Sequence, residues 1–305
     1  KPDAASDDKA TTPSPEKIGP EITTSAEARA AKLTADGEAA YAVHDDVTAL
    51  ARYDEALAIH PNFTLALKNR AKVYARANDL IRAMADLDRA IEIDPRYADA
   101  FNNRGTLWVL LKDSARAKAD FDKTIEIAPR TWQAHVNRAR LLIAEKRWDA
   151  ALADFDAAIE VNPKFDRLLA ERGNLQYERK HYEEAISDYG RAFAIKPHAF
   201  HLVNRAMADL ALGRLAEAVY ETSQAIAMDP KLPSAYYIRA KARFRSKDFA
   251  AAIIDLDVAI DLESDARFFA WRSAAYRALA RPAEADRDLA EARRLDPKVN
   301  VPTAP

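Results

Sequence analysis

Prolines stand at Pro61, Pro95, Pro129, Pro163 and Pro197, 34 residues apart each time, and Pro230 and Pro297 continue the series at nearly the same step. Ser264 holds the place where another would fall. A proline cannot continue a helix, and it drives the residue before it out of helical conformation. The stretches on both sides nevertheless read as helix, as in RAIEIDPRYADAFNNRG (residues 89–105) and KTIEIAPRTWQAHVNRA (residues 123–139). Each proline is therefore a corner between helices. The period predicts a stack of similar units rather than a single closed core.

Small residues keep the same period. One column reads Ala49, Ala83, Ala117, Ala151, Ala185, Ala218, Ala252 and Ala285, and another, seven residues on, is Ala in every unit except at Thr124. Seven residues are close to two helical turns, so both columns share a face on which a neighbouring helix can approach closely. A third column, in the preceding helix, reads Gly37, Ala71, Gly105, Ala139, Gly173, Ala206, Ala240 and Ser273. With only 6 glycines in 305 residues, the composition is also that of a helical chain.

These columns, with aromatics such as Trp108 and Phe121 and the closing proline, resemble the tetratricopeptide repeat over residues 26–297, as eight repeats and sixteen helices. The resemblance implies an all-α fold: an α-solenoid, a right-handed superhelix of about eight antiparallel helix pairs, with the first helix of each pair lining a concave groove. Residues 1–25 carry four prolines and little apolar bulk, a composition that does not repay chain entropy and predicts a disordered segment. Thr24 followed by Glu27 reads as a capping box opening the first helix. In the last repeat, apolar columns end in Arg293 and Asp286, as a terminal cap requires, and residues 298–305 form a tail.

Where the family usually has leucine, this chain holds Arg70, Arg104, Arg138, Arg172, Arg205, Arg239 and Arg272. Sixteen residues after each stands an acid: Asp86, Asp120, Asp154, Asp188, Glu221, Asp255 and Asp288. The first repeat inverts the signs, with Asp36 and Arg52. An exchange of sign within one chain predicts ion pairs between paired helices, with a row of ligand-reading arginines as the competing reading. If partly buried, such a pair loses about 3–5 kcal/mol when one partner is removed, against about 0–1 kcal/mol if exposed.

No catalytic constellation emerges, and no cofactor or metal is implied. The chain has no cysteine, which removes disulfides and thiolate chemistry. The repeated Asp-x-Asp pairs, such as Asp86/Asp88, point about 200° apart on a helix and cannot share an ion. His198 and His201 lack a third ligand, and Asn62 matches only a glycosylation sequon. With 46 basic against 48 acidic residues, nothing announces nucleic acid, and no apolar run suits membrane insertion. The lack of cysteine fits an exported protein as well as a cytoplasmic one, and the start at Lys1 leans slightly toward a periplasmic or exported protein.

The groove is the expected working surface. One of its columns reads Asn69, Asn103, Asn137, Glu171 and Asn204, similar to the asparagine ladder of the O-linked N-acetylglucosamine transferase repeats, whose amides could hold an extended peptide backbone. Lys68, Lys72, Arg76, Arg140, Arg167 and Lys241 add positive charge and lean toward an acidic partner. Phe200, Tyr237, Phe244 and Trp271 fall on groove-facing positions toward the C-terminal end. The expected function is a non-catalytic protein–protein interaction scaffold that binds an extended peptide or disordered segment. A self-associating homo-oligomeric array and a regulatory subunit of a separate enzyme chain are the alternatives.

Overall fold

The computed structural model describes residues 20–303, with side chains from Ser25. The chain divides into two compact units, residues 1–129 and 130–305. In the first, α1 (Pro20–Ala42) pairs with α2 (Asp46–Ile59), α3 (Thr64–Arg76) with α4 (Leu80–Ile93), and α5 (Ala98–Leu110) with α6 (Ser114–Ile127). In the second, the pairs are α7 (Trp132–Ala144) with α8 (Trp148–Val161), α9 (Asp166–Glu178) with α10 (Tyr182–Ile195), and α11 (Ala199–Leu212) with α12 (Leu215–Met228). They are followed by α13 (Pro233–Arg245) with α14 (Phe249–Leu262), and α15 (Ala266–Ala278) with α16 (Pro282–Leu295). Odd-numbered helices are the first of each pair and even-numbered helices the second.

The corners behave as the prolines dictate. The residue that follows every second helix leaves helical conformation, with φ from −152° to −129° and ψ from 72° to 131°. Glu263, before Ser264, adopts the same extended state, so the corner survives without its proline. Within each pair the turn needs one residue at positive φ: His44, Asn78, Lys112, Lys146, Lys180, Gly213, Lys247 and Ala280. Only Gly213 takes that conformation without the Cβ penalty. Asp45, Asp79, Asp113 and Asp248 then cap the second helices by accepting a bond from the backbone N–H of the third helical residue.

One sequence expectation changes at the N-terminal end. The first helix begins at Pro20, so Thr24 lies inside α1 rather than at its N-cap, and its side chain lies outside those described. Proline is well suited to a first helical position, where its missing N–H has no partner to lose. Of the expected disordered segment, residues 1–19 lie outside the described residues. At the other end, Arg293 and Asp286 are exposed on α16, which therefore carries charge where the preceding second helices carry apolar side chains.

In both units the first helices touch one another, α1 with α3 and α3 with α5, and α9, α11, α13 and α15 in succession. Second helices make no comparable contact among the described residues. The first helices therefore crowd together on the inner side of each unit. The core is filled by buried side chains such as Leu87, Phe121, Phe155, Tyr189 and Leu256. Each contributes roughly 1.5–3 kcal/mol by leaving water.

The arginine column does more than pair within its own repeat. Arg70 makes a fork to Asp86 (2.9 and 2.7 Å), and its free Nη1 donates to Asp54 of the preceding second helix at 2.6 Å. Arg104 repeats this with Asp120 and Asp88, Arg172 with Asp188 and Asp156, and Arg272 with Asp288 and Asp257. Arg239 forks to Asp255 and uses Ser223 as its other partner. Each such guanidinium joins three helices, and the Asp-x-Asp pairs are explained. The first Asp serves its own repeat and the second serves the next. Arg138 forks to Asp154 at 2.8 and 2.6 Å. Burial would push the Asp154 carboxyl up, but bonds from Arg138 and His135 outweigh it and hold it below the usual range. The first repeat is a correction: Arg52 bonds Glu55, one turn along its own helix, and Asp36 is exposed and not paired with it.

The sixth repeat departs from the pattern. Gly190 replaces the acid that would serve Arg205 from the preceding second helix, and Glu221 replaces aspartate. Glu221 accepts from Arg205 Nε through Oε1 at 2.5 Å, while its Oε2 is buried without a partner. Burial pushes this carboxyl up to about 7 against the pull of Arg205, and Asp209 adds to the rise. Folded Glu221 thus keeps its proton to about pH 7, whereas the unfolded chain releases it near 4.5. Between those values the folded state binds more protons, so stability falls as pH rises through that window. Glu221→Gln, which has no proton to lose, should raise the urea midpoint at pH 8 more than at pH 4.5. An equal change at both pH values would show that the carboxyl ionises normally.

Candidate functional site

The inner face of the first unit holds a cavity of about 320 Å³ among α1, α3 and α5. Tyr41, Leu107 and Leu110 give it apolar walls, and Lys72, Arg76 and Asn103 bring polar groups to it. Three of the groove residues expected from sequence are thus gathered in one place. Arg76 is fixed there: its guanidinium lies 3.7 Å from the Tyr41 ring centre, donates to the Tyr41 carbonyl and pairs with Asp46. Lys72 is held below its ordinary pKa by burial and by the neighbouring Lys68. Asn103 is half-buried and makes no hydrogen bond to another described residue.

The asparagines do not share one environment. Asn69 is only 2% exposed and donates to Glu38 at 2.5 Å, so it is withdrawn from the surface. Asn137 is half-buried on α7. Asn204 donates weakly to Asn174 at 3.4 Å, and Asn174 also accepts from the Tyr189 hydroxyl. The sequence places four amides on one column, but how far each projects depends on the helix packed beside it.

Most of the expected positive charge is already answered. Lys68 pairs with Asp99 at 3.2 Å. Arg140 forks to Glu171, which also accepts from Arg167. Lys241 differs. Its ammonium lies 5.4 Å from the centres of both the Tyr237 and Trp271 rings and is paired with no carboxylate among the described residues. Phe200 is 51% exposed and stacks on His198. Phe244 is a correction: at 2% exposure it packs edge-on against Phe249 and Trp271 in the core of its repeat, not on the groove.

The two histidines have structural partners. His198 accepts from the Phe200 N–H and caps α11, and His201 is buried 3.4 Å from Asp166. Among the described residues no group of three His, Cys, Asp or Glu side chains could hold a metal ion, and no helix is long and apolar enough to cross a membrane.

Models of the tetratricopeptide repeat match residues 111–160, 136–200 and 203–267, and a second such model matches residues 66–97, together more than half of the chain. No curated protein matches the sequence. Among solved structures, PilW, a widely conserved type IV pilus biogenesis factor, is 21% identical over 68% of this chain and 96% of its own, with a TM-score of 0.59. PilF of Pseudomonas aeruginosa is 20% identical over 66% and 93%, with a TM-score of 0.55. YrrB, a TPR protein with an unusual peptide-binding site, is 21% identical over 60% and 95%, with a TM-score of 0.52. At such identities the likeness speaks to the fold. The matched repeats, the helix pairing and the corner at each period agree: the chain is an all-α helical solenoid and belongs to the tetratricopeptide-repeat family.

Proposed function

We propose that the chain is a protein-interaction scaffold that holds an extended segment of a partner against its first helices, with one apolar side chain of that segment seated between α1, α3 and α5. The observation that carries this reading is the cavity itself. It is apolar in its walls, large enough at about 320 Å³ for a leucine- or phenylalanine-sized group, and edged by the unpartnered Asn103 amide. Such an amide can donate to a backbone carbonyl and accept from a backbone N–H, so it fixes a peptide without reading its side chains. Each such bond contributes about 0.5–1.5 kcal/mol net, and seating an aliphatic side chain contributes about 1.5–3 kcal/mol. One anchor and the two bonds of one amide give about 2.5–6 kcal/mol before the cost of ordering the segment, so micromolar affinity requires further contacts along the first helices.

The test is a selection of random twelve-residue peptides against the protein, followed by calorimetry with two variants. Leu110→Asp puts a charge on the exposed side of the cavity, and Asn103→Ala removes the amide. Selected peptides should carry an apolar anchor and should lose at least about tenfold in affinity to Leu110→Asp, since a single buried anchor is worth that much. Selected peptides that bind both variants as tightly as the unaltered chain would move the site elsewhere.

A further inference from the structure

Along the inner face of the second unit, Arg140, Arg167 and Arg267 are answered by acids, whereas Lys241 and Arg245 have no acidic partner among the described residues. Arg140 is answered by Glu171 on the next first helix. Lys241 occupies the same column as Arg140 three repeats later, and the column that supplied Glu171 supplies Trp271. The acid is thus replaced by an aromatic ring, and Lys241 is left between Tyr237 and Trp271. Its charged neighbours are Arg245 and Arg267, both of its own sign. Arg267 is neutralised by Asp265, but Arg245 donates only to the Leu210 carbonyl. The rings stand nearly perpendicular, with centroids 6.4 Å apart at 84°, and the Arg267 guanidinium lies 5.7 Å from the Tyr237 ring centre.

A half-buried ammonium without a counter-ion is held at a cost, because burial disfavours its charge and two ring faces return only part of what water gave. An incoming carboxylate would supply the missing partner. It would bond to the ammonium at a charge-assisted distance, with the Arg245 guanidinium within electrostatic reach. The flanking rings would receive the apolar part of the same residue or of its neighbour. We propose that Lys241 and Arg245, framed by Tyr237 and Trp271, form a recognition site for an Asp or Glu side chain in an acidic segment of a partner protein. The site rests on the scaffold reading, and it adds a charge requirement some distance along the sequence from the cavity of the first unit.

Three N-acetylated peptides test it: Ser-Gly-Glu-Glu-Gly-Ser amide, its Gln-Gln counterpart as the amide, and the Gln-Gln peptide with a free C-terminal carboxylate. Binding is followed by calorimetry and by the indole N–H resonance of Trp271. The Glu-Glu amide should bind and move that resonance, the Gln-Gln amide should do neither, and Lys241→Met should weaken the Glu-Glu amide at least tenfold. Lys241→Met removes an unpaired half-buried charge and keeps the stem, so its melting temperature should not fall, which separates lost binding from lost folding. Equal binding of both amides, an unaffected Lys241→Met protein, or no response to any peptide would overturn the site. Response to the free-terminus peptide alone would overturn its assignment to Asp and Glu side chains. Leu110→Asp should leave the Trp271 response intact, so failure of the cavity reading and failure of this one give different results.

Discussion

Asp188→Ala is expected to destabilise the second unit by about 3–5 kcal/mol, and Asp156→Ala by no more than about 1 kcal/mol, although both acids bond the same guanidinium. Arg172 donates from Nε and Nη2 to Asp188 at 2.7 and 2.6 Å, and from Nη1 to Asp156 at 2.5 Å. The difference lies in exposure. The Asp188 side chain is 2% exposed and that of Arg172 16%, whereas Asp156 is 61% exposed. The fork to Asp188 is the main reason the Arg172 pKa is raised. Without Asp188, a guanidinium between two helices loses its fork and keeps its charge, which water can solvate only in part. Without Asp156, the third arm turns to water at little cost.

Equilibrium unfolding in urea, which does not screen charge as guanidinium chloride does, distinguishes the two. A cost for Asp156→Ala equal to that for Asp188→Ala would mean that the link between repeats, rather than the buried fork, carries the weight. Replacing Arg172 and Asp188 together by Met and Leu should recover most of the loss. A buried pair exchanged for apolar groups of similar volume is often neutral, because the desolvation of both charges disappears with them.

What the sequence made legible is what recurs. Corners, small columns and the sixteen-residue spacing of Arg104 to Asp120 each appear several times in phase, so one misread position cannot move the helices. Single columns also say which face of a helix a residue occupies. They do not say how deep it lies. Asn69 and Asn103 share a column, yet one is covered and donates to Glu38 while the other edges a cavity. Phe244 falls on a groove-facing position but is closed over by Phe249 and Trp271. Depth is set by the next helix across, and its side chains are thirty or so residues away in sequence.

The third arm of the arginines was hidden for a related reason. Asp86 and Asp88 point to opposite sides of α4, which excludes a shared ion but leaves each Asp free to serve a different repeat. The inverted Asp36 and Arg52 followed the pattern of signs but not of reach, since Arg52 finds Glu55 on its own helix first. A complementary swap in sequence is evidence of contact only when the shorter side chain can still be reached.

The second large effect concerns the alternation of glycine and alanine in the third small column. Gly105→Ala is expected to cost about 1–3 kcal/mol, against the usual gain of up to about 1 kcal/mol for replacing a helical glycine with alanine. A methyl at Gly105 would lie 2.6 Å from Cε1 and 2.9 Å from Cδ1 of Phe121. That ring is fully buried and has nowhere to swing. Gly37 and Gly173 face Tyr53 and Tyr189 in the same way, whereas Ala71 stands sixteen residues before Leu87. Ala139 stands sixteen residues before Phe155, so a ring and a methyl can coexist where the pair is built that way, and the cost at Gly105 is that of moving α5 from α6. Phe121→Leu alone should cost about 1 kcal/mol through the space it leaves. Combined with Gly105→Ala it should recreate the Ala71–Leu87 arrangement and recover at least about 1 kcal/mol relative to the sum of the two. Strict additivity in urea unfolding would show that the ring and the glycine are not in register and that glycine is present for the helix backbone alone. Coupling of the expected sign would make residue 105 and residue 121 a single packing choice, in which the approach of α5 to α6 is set by the two side chains together.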